Sequence, residues 1–397
     1  MVADDQRAAK NDQEYLMYIP YSRQWIDEDD IQAVNSVLRS DYLTQGPKLA
    51  EFEKHLAEYC GAKYCVVFNS GTSALHAAYF VSGLKEGDEF ITSPISFVAS
   101  SNAGLYLGAK PVFADIEKDT GNIDASKIKD ALSEKTGLIV PVHYSGHPVD
   151  MEAIHDMAAE QGIPIIEDAC HALGAKYKGE ITGNCRFSDM TVFSFHPVKH
   201  IATGEGGAVT TNNKGLYEKM KMFSTHGITK DNYTNEPDGE WYYEMQFLGY
   251  NYRMTDIQAA LGISQLKKLD GFVERRRAIA AIYNETFKIN SYFDIPPERE
   301  YASSSYHLYP IRLKDQYKES KKEIFSALRK NGLGVQVHYI PIYLQPYYQD
   351  LGYKKELCPN SEDFYQREIS IPVYPAMTDK DIESVISVLL DTLKDHS

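Results

Sequence analysis

Phe193-Ser194-Phe195-His196-Pro197-Val198-Lys199-His200-Ile201-Ala202-Thr203-Gly204-Glu205-Gly206-Gly207 is the stretch on which the reading of this chain turns. Residues 191–195 form a short apolar run that reads as a buried strand. Lys199 follows shortly after it, Ser194 stands five positions before that lysine, and a glycine-rich turn comes next. A lysine held in such a pocket can form a Schiff base, its pKa tuned by desolvation and neighbouring charge. A single lysine is most often surface charge; the company of the serine and the glycines points to a site.

Upstream, Ile165-Ile166-Glu167-Asp168-Ala169-Cys170-His171 places two carboxylates at the C-terminal end of another apolar strand. Ligands of open α/β sheets gather at that edge. Asp168 suits a protonated ring nitrogen, and His171 suits a phenolic oxygen. Taken alone, the segment reads equally as a solvated acidic turn beside a surface histidine. Further upstream, Asn69-Ser70-Gly71-Thr72-Ser73-Ala74 joins a strand directly to a helix. Free amides at a positive helix end, with hydroxyls around them, make a phosphate cradle. Alone it is also an ordinary Ser/Thr helix cap, and it lacks the nucleotide P-loop pattern. An anion cradle, a carboxylate and a Schiff-base lysine are together the set that pyridoxal phosphate requires. Phe97, in Pro94-Ile95-Ser96-Phe97, either stacks on that ring or is a core aromatic.

Around these motifs the pattern alternates. Strands are expected at 64–68, 89–91, 138–142, 163–166 and 191–195, with helices at 72–81, 125–132 and 151–161 between them. That alternation predicts an α/β fold with a mostly parallel sheet. Asp27 caps an expected helix carrying Ile31, Val34, Val37 and Leu38, and Pro47 opens a second that Gly61 ends. Beyond it lie a helical region at 255–288, a strand at 306–313, a helix at 318–330, a short run at 335–337 and a last helix at 379–393. Residues 1–14 are expected to be a flexible leader, 15–270 a large domain and 271–397 a smaller one.

The 397 residues carry 41 Lys and Arg against 56 Asp and Glu, a formal charge of −15. That balance speaks against nucleic acid and against anionic membrane. The five cysteines include no CxxC pair, which predicts reduced thiols and a cytoplasmic protein. No apolar stretch reaches the ~20 residues of a membrane helix. His143 and His147 have metal-ligand spacing, but Gly146 and Pro148 oppose a helix there, so no metal is expected.

The motifs above, with Leu43-Thr44-Gln45-Gly46, Gly121-Asn122-Ile123-Asp124, Gln336-Val337-His338-Tyr339 and Glu362-Asp363-Phe364-Tyr365, resemble the DegT/DnrJ/EryC1/StrS family of sugar aminotransferases. The resemblance runs from about Tyr18 to the C-terminus. It implies the PLP-dependent transferase fold type I, aspartate aminotransferase-like: a large domain with a mostly parallel mixed sheet and a smaller C-terminal α/β domain.

It further implies that Lys199 holds the cofactor covalently, that Asp168 pairs with its ring nitrogen and that His171 meets its phenolic oxygen, where many relatives have Gln. Phe97 would cover the ring. Gly71, Thr72, Ser73 and Ser194 would bind the phosphate. Asn251 would reach the phosphate of a neighbouring subunit, which makes the enzyme a homodimer. Tyr21, Arg23, His338 and Tyr339 are the implied substrate contacts. The implied donor is L-glutamate, and the acceptor is the 4-keto carbon of a UDP-linked 6-deoxy-N-acetylhexosamine of L-arabino configuration, a pseudaminic acid precursor.

The alternatives are a different nucleotide 4-keto-6-deoxy sugar, such as the D-xylo epimer, and a non-enzymatic regulator that binds the cofactor. Relatives that dehydrate their sugar carry His in place of the lysine, so Lys199 favours amination. A regulator would need a DNA-binding domain and a basic surface, which a 14-residue leader and a charge of −15 do not provide.

Overall fold

The computed structural model describes residues 18–396, so the expected leader at 1–14 lies outside the described residues. Seven strands form the main sheet: β1 (Tyr64–Phe68), β2 (Glu89–Thr92), β3 (Lys110–Phe113), β4 (Thr136–Val140), β5 (Ile166–Asp168), β6 (Met190–Ser194) and β7 (Gly207–Thr211). Hydrogen bonding orders them β1-β7-β6-β5 and β3-β2-β4. Single parallel bridges, Ile139 to Ile165 and Val142 to Asp168, join β4 to β5. β7 runs antiparallel to both its neighbours; the other named pairs are parallel.

The sheet is covered on both faces because successive side chains point to opposite sides. Val66, Phe68, Met190 and Val192 enter one core, against the helix Gly71–Val81. Cys65, Val67 and Phe193 enter the other, where Phe52 and Leu56 of the helix Pro47–Cys60 meet them. Each such fully buried side chain contributes roughly 1.5–3 kcal/mol of transfer free energy.

Two strands, β3 and β7, are absent from the pattern read in the sequence. β7 begins within the glycine-rich turn, and its first residue explains why. A Cβ on Gly207 would lie 2.6 Å from the carbonyl oxygen of Ser70 and 2.8 Å from the Gly71 amide nitrogen. Glycine there lets β7 pass directly beside the start of the helix Gly71–Val81.

A second sheet, β8 (Phe293–Asp294), β9 (Tyr309–Leu313) and β10 (Glu368–Ile371), is antiparallel in the order β8-β9-β10. Helices Lys321–Lys330 and Asp379–Lys394 bury Ile324 and Leu389 in its core. The short run at 335–337 joins it through one bridge, Gln336 to Ser370.

The helical region expected at 255–288 is two helices, Asp256–Leu266 and Leu269–Phe287. The side chain of Lys268, between them, pairs with Asp27 and Asp30. The expected boundary at 270/271 falls inside the second of these helices. Its Leu269 and Val273 pack in the main-sheet core, whereas Ile279, Tyr283 and Phe287 pack in the second. Ile19 also belongs to the second core.

Candidate active site

β1, β5 and β6 all end at one edge of the main sheet, and a cavity of about 390 Å³ opens there. Three sequence segments converge on it. After β1, Ser70 caps the helix Gly71–Val81 in a reciprocal box with Ser73. The first-turn amides of Gly71 and Thr72 have no carbonyl one turn behind them and stay available to an anion. A Cβ on Gly71 would meet Ser194 Cβ at 2.9 Å and its Oγ at 3.1 Å, so glycine keeps this cradle open beside the Ser194 hydroxyl.

At the end of β5, the buried Asp168 has both carboxylate oxygens engaged. Oδ2 accepts from Ser100 Oγ at 2.6 Å, and Oδ1 accepts from the Cys170 amide at 3.2 Å. Ser96 Oγ lies 2.7 Å from Ser100 Oγ and extends the chain of hydroxyls. The carboxylate is thus fixed in direction before any ligand arrives.

Lys199, after β6, reaches the same cavity, with Nζ 3.4 Å from Nε2 of His307. Burial lowers its pKa below the ordinary lysine value, while Cys170 and Asp168 act in the opposite direction. Burial, then the Lys199 charge, hold His171 and His307 well below the ordinary imidazole value, so both are neutral. His171 Nε2 is 3.1 Å from the Tyr339 hydroxyl, and the His171 and His307 rings are 4.3 Å apart. Nδ1 of each is buried without a partner among the described residues.

The remaining expected residues divide. Thr72, Ser194, Phe97, Tyr21, His338 and Tyr339 line the cavity, Phe97 being 49 % exposed. Ser73 does not: its hydroxyl donates to Asn69 Oδ1 at 2.6 Å and its amide to Ser70 Oγ at 3.1 Å, because the cap uses both. Arg23 sits in a separate small recess with Trp25 and His200, which also touches Lys199. Asn251 is exposed and outside the cavity; its carbonyl accepts from Asn69 Nδ2 at 3.4 Å. His143 and His147 have separate partners, Glu167 at 2.7 Å and the Arg299 amide at 3.0 Å.

Two neighbours of the site escaped the sequence reading. Ser100 lies in the first turn of the helix Ala99–Leu105, four residues after Ser96, a spacing that carries no signal until Asp168 is placed against it. His307 is the second residue of the run expected as a strand at 306–313, and the tertiary fold brings it to a lysine 108 positions away.

The donor set fits pyridoxal phosphate. An amide-and-hydroxyl cradle only a glycine keeps open, a fixed carboxylate and a buried lysine share one cavity. Among the described residues no helix is long and apolar enough to cross a membrane.

Comparison with known proteins agrees with this chemistry. The chain is 44% identical over 379 residues to the UDP-4-amino-4,6-dideoxy-N-acetyl-beta-L-altrosamine transaminase of Campylobacter jejuni, covering 95% of this chain and 98% of that protein. Its fold is similar to that of Helicobacter pylori PseC, an aminotransferase involved in the biosynthesis of pseudoaminic acid. That match has a TM-score of 0.90 and 39% identity, over 95% of this chain and 100% of that one. Spr1654 from Streptococcus pneumoniae, in its PLP form, matches with a TM-score of 0.89 and 31% identity, over 95% and 99% of the two chains. The sequence profile of one family matches residues 24–390. This chain is a PLP-dependent enzyme and belongs to the DegT/DnrJ/EryC1/StrS aminotransferase family.

Proposed function

We propose that the enzyme moves the amino group of L-glutamate to the 4-keto carbon of UDP-2-acetamido-2,6-dideoxy-β-L-arabino-hex-4-ulose. The product is UDP-4-amino-4,6-dideoxy-N-acetyl-β-L-altrosamine, for pseudaminic acid. One observation carries the reaction class: Lys199, Asp168 and the helix end at Gly71–Thr72 open onto a single cavity. The acceptor is supported by the names of the relatives, at 39–44% identity over nearly the whole chain.

In this reading, Gly71, Thr72 and Ser194 hold the phosphate and Phe97 covers one ring face. Asp168 keeps the ring nitrogen protonated, and His171 donates to the phenolic oxygen. When bound, the group supplies an electron sink conjugated to the reacting carbon of the substrate. The Lys199 amine would serve as the base that takes and returns the proton at the substrate Cα. Its lowered pKa keeps more of it in the neutral form that a base needs. Asp168, already fixed by Ser100, stabilises the charge that develops without reorganising. Tyr21, His338 and Tyr339 face the sugar. Asn251, exposed on this chain, reaches the phosphate of a partner in a homodimer. L-Glutamate would give up its amino group first and leave as 2-oxoglutarate, and the 4-keto sugar would receive that group second.

The test is spectroscopic. The protein is converted to its amino form with L-glutamate, freed of excess donor and mixed with each 4-keto epimer of the UDP sugar. Return of visible absorbance with the L-arabino epimer, and hardly with the D-xylo epimer, is the expected result. The reverse preference would move the enzyme to another amino sugar while leaving the reaction class intact.

A further inference from the structure

β10 presents Glu368 and Ser370 on one face, two residues apart, as any strand does. The segment beside it is tied down by its backbone: the Gln336 amide donates to the Ser370 carbonyl at 3.2 Å, and the Ser370 amide donates back at 2.8 Å. That pairing brings His338 over the two side chains. Its backbone N–H donates to Glu368 Oε2 at 2.8 Å, and its Nδ1 lies 2.9 Å from Ser370 Oγ. Ser370 Oγ in turn donates to Glu368 Oε1 at 2.5 Å.

The direction of this chain follows from counting protons. A serine hydroxyl has one hydrogen, and when Glu368 is ionised its carboxylate, an acceptor only, takes it. Ser370 Oγ is then only an acceptor toward His338, so Nδ1 must carry the imidazole proton. In a neutral ring Nε2 is left with a bare lone pair. Burial, then the Lys199 charge, lowers His338 to about 3, so the ring is neutral at ordinary pH. His338 lines the cavity, and among the described residues its ring is hydrogen-bonded through Nδ1.

We infer that Glu368, acting through Ser370, locks His338 in the Nδ1–H form and so presents Nε2 to the cavity as an acceptor for a hydroxyl or amide N–H of the acceptor sugar. Glu368 and Ser370 are positioning residues, sealed behind the histidine. An imidazole held this way selects a hydrogen-bond donor on the substrate and gives no charge to an anion. The inference rests on the proposed sugar substrate for what is bound, but not for the tautomer.

Glu368→Gln is the decisive variant, because it keeps the shape and reverses the chain. Its amide oxygen still accepts from the His338 backbone, and its NH₂ donates to Ser370. The serine hydroxyl must then donate to Nδ1, moving the imidazole proton to Nε2. Long-range ¹H–¹⁵N spectra of histidine-labelled holoenzyme, under mildly alkaline conditions, read the tautomer directly. The expected result is Nδ1–H in the unchanged enzyme and Nε2–H in E368Q.

Kinetics supply the second reading. In E368Q the KM for the 4-keto sugar rises about tenfold, the worth of one lost hydrogen bond. The rate with L-glutamate serves as the internal reference and moves much less. A proton on Nε2 in the unchanged enzyme overturns the inference, as does a sugar KM that ignores a demonstrated tautomer change. If the unchanged enzyme is inert to the sugar, the functional proposal fails, and the spectra still decide the tautomer.

Discussion

The amine of Lys199 stops 3.4 Å from Nε2 of His307, a residue supplied just ahead of β9 in the second sheet. Because burial keeps His307 neutral, its Nε2 can accept a hydrogen bond from the lysine ammonium and steady the charged form. His307→Phe removes that acceptor, so the amine pKa should fall further, by about one unit. The check is the pH dependence of pyridoxal phosphate uptake by the cofactor-free protein, whose midpoint should move to lower pH. An unmoved midpoint means that His307 does not govern the amine. Lys199→Ala should cut turnover by at least about 10³-fold, measured with both substrates.

Asp168→Asn should retain the cofactor yet lose rate by about 10²–10⁴-fold, since the amide cannot keep the ring nitrogen protonated. Ser100→Ala is the graded companion. It removes one hydrogen bond to a carboxylate, worth about 1.5–3 kcal/mol, so about a tenfold loss in kcat is the lower bound. Equal effects from both substitutions would contradict this ordering.

Glu368 should make sugar binding pH-dependent. Burial raises its carboxyl from 4.5 to about 7, while Lys321, from the adjacent helix, opposes the rise. Ser370 and the His338 amide are its hydrogen-bond partners, and both favour the charged form. Protonated, Glu368 can donate to Ser370 and reverse the chain. The KM for the sugar should therefore climb as pH falls through about 7, and E368Q should be flat there at the higher value. The linkage has a definite sign. A carboxyl raised on folding lends stability that is complete below its unfolded value and lost as pH rises through the folded one. Melting curves of the unchanged enzyme should drop between pH 4.5 and about 7 more than those of E368Q.

Arg276 offers a stability test behind the site. It is fully buried, and its Nη1 lies within hydrogen-bond reach of three carbonyl oxygens: Val373 at 2.7 Å, Tyr306 at 3.2 Å and His307 at 3.3 Å. Arg276→Ala strands those carbonyls and should cost about 3 kcal/mol, read from denaturant unfolding. A loss under about 1 kcal/mol would show that water satisfies the carbonyls instead.

Much of this was legible in the residues. Helix starts were readable because their signals are local: Asp27 accepts from Asp30, and Pro47 and Gly61 bracket their helix as expected. The run expected at 163–166 shares only Ile166 with the strand Ile166–Asp168, which extends through the two carboxylates. The strand before Lys199, by contrast, was readable as an apolar run at 191–195, against Met190–Ser194 observed. β7 was not, since its defining feature is a close approach between Gly207 and Ser70, far apart in sequence. Ser73 shows the opposite limit. The sequence marks a hydroxyl at a helix start, but only three-dimensional contacts reveal that the cap consumes it. Ser100, His307 and Glu368 share one reason for escaping notice: each matters through a partner at least 30 positions away.

The helix Leu269–Phe287 has its first turn in one core and its last in the other. Unfolding either core strips the packing from half of that helix, and short isolated helical pieces are marginal in water. Heat should therefore melt the two cores in a single cooperative transition, with the lysine side and the histidine side of the cavity lost at the same temperature.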